Sequence, residues 1–315
     1  MSNIEKNRIN LIGPFLTREF GQKTVKLSLD GGFTCPNRDG TKGSGGCSFC
    51  SERGSGDNAS TIQEQIELLS SKWKNASSYI AYFQNFTGTY APVSRLRSLY
   101  YDALSSDNIN GIAIATRPDC LGPDVLDLLT EINESHYMWI ELGLQTTRDD
   151  IAREFGRGYE TEVYYQAVDH LKERGIPFVT HLLFGLPGET TNDMKSSLLS
   201  VLEHGVWGLK FHLLNIIKGT RLYQEMPDYA SFSTPEEYAS LIVDLLEMVP
   251  YEIVIHRLSA DSPANLLHTP KWAYRKRLLL NTIHQEMVRR DTIQGSKAKS
   301  YSPGTIISGP RRPSL

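Results

Sequence analysis

Gly32-Phe33-Thr34-Cys35-Pro36-Asn37-Arg38-Asp39-Gly40, running on to Gly46-Cys47-Ser48-Phe49-Cys50, holds three of the chain's four cysteines at a C-x11-C-x2-C spacing. Gly, Pro, Asn and Ser surround the thiols, a composition that sustains neither a regular helix nor a strand, so the stretch is a loop. A loop that concentrates thiols closes around a metal more often than not. On residue types alone, the three thiolates fit zinc completed by a distant fourth ligand, or three irons of a 4Fe–4S cluster whose fourth iron stays open. Cys120, some seventy residues on, reads as an ordinary buried thiol.

Working outward, strand-like runs at residues 25–29, 78–83, 111–115, 137–144, 178–184 and 209–217 are each followed by a polar or glycine-rich loop. Helical spacing follows at 62–73, 93–104, 123–132 and 235–248, and 252–257 is a possible seventh strand. Six strand-then-helix units in succession predict an α/β fold with parallel strands and right-handed crossovers. Sites in such folds gather at the carboxyl ends of the strands. There the chain places Gln84, Asn85 and Tyr90, then Arg117, then His212, Asn215 and Lys218, with Arg257 at the end of the seventh; these are the candidates for substrate contact.

The 315 residues, 40% apolar and 22% charged, have ample material for a core. A net charge of −3 conceals an asymmetry. Residues 271–315 carry ten Lys/Arg against Glu286 and Asp291, a net of +8, which leaves −11 on the rest. A basic segment on an acidic body suits a polyanion such as RNA, and also fits a solvated helix with a frayed tail. Residues 1–10 lack the apolar core of a secretory signal and no apolar run approaches the ~20 residues of a membrane span, so the expectation is a cytoplasmic protein without a membrane partner. Metal binding is then favoured over a disulfide framework.

The three cysteines, with Phe49 directly before the last, resemble the cluster loop of the radical S-adenosylmethionine (SAM) enzymes, and the lengthened first gap resembles the branch related to the radical domain of Elongator subunit three. Ile140-Glu141-Leu142-Gly143-Leu144-Gln145 is similar to the fourth-strand motif of that branch, and Leu183-Phe184-Gly185-Leu186-Pro187-Gly188-Glu189 to its fifth-strand motif. Taken with Cys35-Pro36-Asn37-Arg38-Asp39-Gly40, Lys218-Gly219-Thr220 and Pro270-Lys271-Trp272, the chain resembles the YhcC/YtqA-like radical enzymes from about residue 20 to residue 295.

The resemblance implies a partial (β/α)6 radical-SAM barrel. Residues 1–20 would form an N-terminal segment, 21–250 the barrel with its cluster loop, and 251–315 a short basic strand-and-helix extension with a tail. It implies a 4Fe–4S cluster on Cys35, Cys47 and Cys50 and SAM as second cofactor. Implied contacts to SAM are Gln145 to the ribose, Arg157 to the carboxylate, Gly185 along the adenine, and Glu141. His181 stands where the coproporphyrinogen-oxidase-like branch carries an acid that touches the cofactor. The implied partners are a one-electron donor such as flavodoxin or ferredoxin and tRNA, bound through the basic segment that includes Arg275, Lys276, Arg277, Arg289 and Arg290. The implied reaction removes the carboxymethyl group from 5-carboxymethylaminomethyl-uridine at the wobble position, leaving the aminomethyl form. Rival expectations are a radical enzyme acting on a porphyrin-like or other small substrate, and a zinc-stabilised RNA-binding module without catalysis.

Overall fold

A computed structural model describes residues 7–50, 60–260, 262, 264–299 and 306–312. Seven parallel strands form one sheet: β1 (Thr24–Leu29), β2 (Ser78–Phe83), β3 (Ile109–Thr116), β4 (Met138–Gln145), β5 (Phe178–Phe184), β6 (Gly208–Leu213) and β8 (Val254–Arg257). The six expected units are there in order. The strand that the sequence assigns to the C-terminal extension, β8, hydrogen-bonds to β6 and lengthens the same sheet.

A flat seven-strand sheet would separate its edges by roughly 29 Å at ~4.8 Å per strand. Yet α1 (Ile12–Phe20), only roughly 13 Å long at ~1.5 Å per residue, packs against both edge strands, β1 and β8. The sheet is therefore curled into a partial barrel, with α1 across its seam. Leu11, just before the helix, bridges to Ile255 of β8. The sequence reading leaves 1–20 as a plain segment, and the structure puts a helix over Ile12–Phe20. Pro14 lies in the first turn, where its missing N–H costs nothing, and Leu16 is buried.

The expected long strand over 209–217 is interrupted. It stops at Leu213, and Ile216–Ile217 (β7) pairs antiparallel with Leu267–Thr269 (β9) in a separate two-stranded sheet. This carries Lys218 out to an exposed turn, where its backbone N–H bonds Leu266.

Inside the barrel, side chains alternate in and out along each strand and stack in layers. The lowest layer is apolar, with Ile80, Ala113, Trp139, Val179, Trp207 and Val254 meeting Leu16 of α1. Above it lies a polar layer of Lys26, Tyr82, Glu141, His181 and Lys210, and above that a cavity open toward the strands' carboxyl ends. Outside, α2 (Ile62–Ser71), α3 (Val93–Leu104), α4 (Pro123–Ser135), α6 (Thr161–Glu173), α7 (Thr191–His204) and α9 (Pro235–Met248) bury their apolar faces on the sheet. After β5, α7 begins with a capping box between Thr190 and Asp193.

The last helix, α10 (Lys276–Arg289), lies along α9. It begins just after β9, next to the strands' carboxyl ends, and Gln294 beyond its end bonds the carbonyls of Pro250 and Ile253 at the opposite end. No helix among the described residues is long and apolar enough to cross a membrane.

Leu16→Ala is expected to cost about 3 kcal/mol, the loss for a buried leucine, whereas Leu68→Ala, at an exposed position, should stay within ~0.5 kcal/mol. Urea unfolding midpoints measure both.

Candidate active site

Two hydrogen-bonded turns shape the cysteine loop: Arg38 N–H to Cys35 O (2.8 Å) and Cys50 N–H to Cys47 O (2.9 Å). The loop is moored to the turn between α5 (Asp149–Glu154) and α6. Ser48 N–H bonds Phe155 O, and Asn37 Nδ2 donates to Gly156 O and reaches Cys47 Sγ at 3.6 Å. A Cβ on Gly158 would stand 3.1 Å from Asn37 Oδ1, which explains the glycine beside Arg157.

Cys35, Cys47 and Cys50 all line one cavity of about 230 Å³, and Cys120 does not. Among the described residues no three ligand-type side chains converge as tightly as a single ion requires. A hydrogen bond from Cys50, with the nearby Arg117 guanidinium and Asn37, brings Cys47 down to about 7 against the effect of burial. The same bond, with burial, pushes Cys50 well up. Burial pushes Cys120 up to about 12, the behaviour of an inert thiol.

The wall above the thiols is built from two arginines and a tyrosine. Tyr159 has the guanidinium of Arg117 at 4.8 Å from its ring centre and that of Arg157 at 4.7 Å. All five N–H donors of Arg157 are spent inside the protein, on the carbonyls of Leu144, Thr146 and Tyr159 and on Asp149 Oδ1 and Thr161 Oγ1. It fastens the end of β4 to the cysteine loop's mooring and offers no free fork to a carboxylate. Arg117 likewise grips Asp119 with two donors and Arg157 O with a third.

Gln145 ends β4 with φ +68°, a left-handed conformation that a glutamine adopts only under constraint. Its side chain folds back so closely that a Cβ on Gly143 would lie 2.9 Å from Gln145 Nε2. The glycine of the fourth-strand motif therefore makes room for the glutamine.

At the cavity's inner end Glu141, fully buried, accepts from five donors. Tyr82 Oη (2.5 Å), Lys210 Nζ (2.6 Å) and His181 Nε2 (2.9 Å) bond Oε2; Lys26 Nζ and Trp139 Nε1 (both 3.2 Å) bond Oε1. Burial opposes its ionisation, but Lys210 and Lys26 overcome this and hold it well below the usual carboxylate range. Burial pulls Lys210 down to about 7 despite Glu141, pulls His181 to about 4 and holds His212 well below the usual imidazole value, so both imidazoles are neutral.

Of the sequence-derived candidates, Gln84, Arg117, Glu141, Gln145, Arg157, His181 and His212 line this cavity with the three cysteines. Glu141 serves as the hub of an ionic layer, its oxygens already occupied. Asn85, Tyr90, Gly185 and Lys218 lie outside the lining. Tyr90 braces the cysteine loop through Thr41 Oγ1 (2.9 Å). Gly185, at φ +91°, packs under Ser231, where a Cβ would stand 1.9 Å from the hydroxyl, and its carbonyl accepts from Tyr229. Asn215 bonds Ser262. The sequence reading passes over Tyr82, Tyr159 and Lys210; the last had a signal, since it precedes His212 by two residues and must share its face of β6.

Residues 37–201 match the profile of the radical SAM superfamily, and residues 206–289 that of the radical SAM C-terminal domain. The chain is 40% identical to YtqA of Bacillus subtilis over 303 residues, covering 93% of this chain and 94% of that one. It is 39% identical to YhcC of Escherichia coli over 269 residues, 84% and 87% of the two chains. Among solved structures, the archaeal Elp3 of Methanocaldococcus infernus, with an N-terminal deletion, superposes with a TM-score of 0.64 at 17% identity. That match covers 86% of this chain and 64% of the archaeal one, under two thirds of its length.

Alanine at Cys35, Cys47 or Cys50 should each abolish stable iron binding after anaerobic reconstitution, whereas Cys120→Ala should retain about four irons per chain. Iron and sulfide assays with the absorption near ~400 nm measure this.

Proposed function

Because the chain belongs to the radical SAM superfamily, we propose that its cavity holds a 4Fe–4S cluster on Cys35, Cys47 and Cys50, with SAM beside it, and that it acts on the wobble uridine of tRNA. The observation that carries the cofactor reading is the convergence of these three thiols, and no other thiol, on a cavity that also receives Gln145 in its constrained conformation. Three thiolates leave one iron of a four-iron cluster open for a small-molecule ligand. When bound and reduced, the pair supplies a 5′-deoxyadenosyl radical that removes a hydrogen atom from substrate; the protein's share is orientation and exclusion of water. Gln145 is the chain's contact to the SAM ribose. Arg157 and Arg117 keep the cysteine loop and the end of β4 in fixed relation, and their positive charge favours thiolate at Cys47.

The tRNA reading rests on the resemblance to the YhcC/YtqA-like enzymes and on where the basic residues lie. Lys271, Arg275, Lys276 and Arg277 are exposed, with Tyr274 among them, beside the carboxyl ends of the strands where the cavity opens. A base unstacked from a single-stranded loop can reach a cavity there while its phosphates meet these charges. Arg289 and Arg290 have a different part. They lie roughly 20 Å away along α10 at ~1.5 Å per residue, and they pair with Glu286 and, for Arg290, with Asp244 at 2.6 Å. The phosphate-binding role expected for the whole basic segment therefore narrows to its first turn.

Charge reversal at Arg275 and Arg277 should weaken tRNA binding about tenfold or more and flatten its salt dependence, with iron content unchanged. A salt slope identical to that of the unaltered enzyme would remove the RNA part of the reading. Gly143→Ala, which crowds Gln145, should raise the Kd for SAM about tenfold, the worth of one hydrogen bond of ~1.4 kcal/mol, and leave iron content intact. Nucleoside mass spectrometry of tRNA from cells with and without the chain tests the substrate: 5-carboxymethylaminomethyl-uridine should accumulate without it, and an unchanged profile would count against the reaction.

A further inference from the structure

The polar layer beneath the cavity is not balanced in charge. Two ammonium groups, Lys26 and Lys210, share the single carboxylate of Glu141, and the neighbouring imidazoles are neutral. Arg257 on β8 adds positive charge within range, but it has an interaction of its own and is not counted. A buried cation without a counter-ion is costly, and Lys210 is 1% exposed. When Lys210 is protonated, this layer carries one positive charge without a counter-ion among the described residues.

The donor inventory agrees. Lys210 Nζ has three N–H bonds; one goes to Glu141 Oε2 and one to Tyr82 Oη, both at 2.6 Å, and among the described residues the third has no acceptor. His212, two residues along β6 and on the same face, has its Nε2 buried with no partner. Its ring centre lies 5.1 Å from that of His181, which is occupied by Glu141. Both Lys210 and His212 line the cavity that holds the cysteines. A single negative charge and two acceptor oxygens are what a carboxylate provides.

We propose that the inner end of the cavity is the receptor for a carboxylate of the substrate, with Lys210 Nζ and His212 Nε2 as its two donors. The inference rests on the nucleoside reading above and sharpens it. It gives the otherwise unmatched layer a counter-ion, and it places the substrate's acidic arm deep in the barrel with the rest of the molecule toward the thiols. The competing source of the same chemistry is the carboxylate of SAM.

The arrangement also gives binding a pH dependence. Lys210 faces Glu141 and Trp139 from β4, Tyr82 from β2, Lys26 from β1, His181 from β5, His212 on its own strand, and His256 and Arg257 from β8. In the free protein burial leaves its ammonium form only half populated near pH 7. A bound carboxylate raises that value, so affinity is full below about 7 and falls toward tenfold per unit as pH rises above it.

The test compares equilibrium binding of 5-carboxymethylaminomethyl-uridine nucleoside with that of its methyl ester, on cluster-loaded enzyme with SAM present. The unaltered enzyme should prefer the acid about tenfold at pH 6.5, roughly the worth of one charged hydrogen bond, and less at pH 8.5. Lys210→Met should abolish the preference and its pH dependence, and Lys210→Arg, which preserves the charge if the methionine variant does not fold, should retain part of it. Equal binding of acid and ester by the unaltered enzyme overturns the inference and leaves the nucleoside reading standing; binding of neither overturns both. SAM and decarboxylated SAM form the second arm. If Lys210→Met instead erases the discrimination between those two, the carboxylate at Lys210 belongs to the cofactor and the assignment to substrate is wrong.

Discussion

A single carboxylate that cannot leave the protein interior organises this barrel. Glu141 sits with no exposed surface on the central strand, and its ionised form persists only because β1, β2, β5 and β6 each send a donor to it. Those donors register the strands by chemistry as well as by backbone pairing. The same layer divides the interior into two regimes. Below it the barrel is apolar, sealed by α1; above it most of the lining is polar or sulfur-bearing, with Phe49, Phe86 and Ala115 as its apolar members, as a site for charged cofactors and a polar substrate needs.

The cysteine loop and its surroundings divide the labour differently. The loop makes few contacts with regular structure, so its shape is imposed by the Asn37–Gly156 mooring and by the Arg117–Tyr159–Arg157 stack. Arginines in a cofactor cavity invite assignment as anion ligands. Here Arg157 spends all five donors on backbone carbonyls, Asp149 and Thr161, and Arg117 spends three on Asp119 and Arg157 O, while Lys210 keeps one donor unspent among the described residues.

This bears on what was legible in the chain. The parallel α/β order, the three thiols and the placement of Gln145 were readable because each depends on local pattern: β-branched runs, a loop-forming composition, a motif at a strand end. What escaped depended on partners distant in sequence. Leu16 reads as an unremarkable leucine until β8 supplies its surface, and Lys210 reads as a stray charge in an apolar strand until Glu141, 69 residues earlier, faces it. Arg157 lines the cavity, but an arginine's use is set by how many acceptors surround it, which no spacing reveals. The break after Leu213 was hidden because Leu214, Ile216 and Ile217 are as apolar as the strand before them.

The seam beneath α1 carries a consequence for how the molecule is made. Leu11 pairs with Ile255, Asn10 N–H bonds the side chain of Gln294, and Arg8 reaches Thr292, so residues 8–11 are completed by partners more than 240 positions later. On a ribosome adding ~5–20 residues per second, α1 waits through some 240 residues before its second wall exists. For that interval the growing sheet is an open trough, and the thiol loop gains its mooring only once Gly156 and Tyr159 are made. The ring closes late, and with it the protection of whatever the loop has by then acquired.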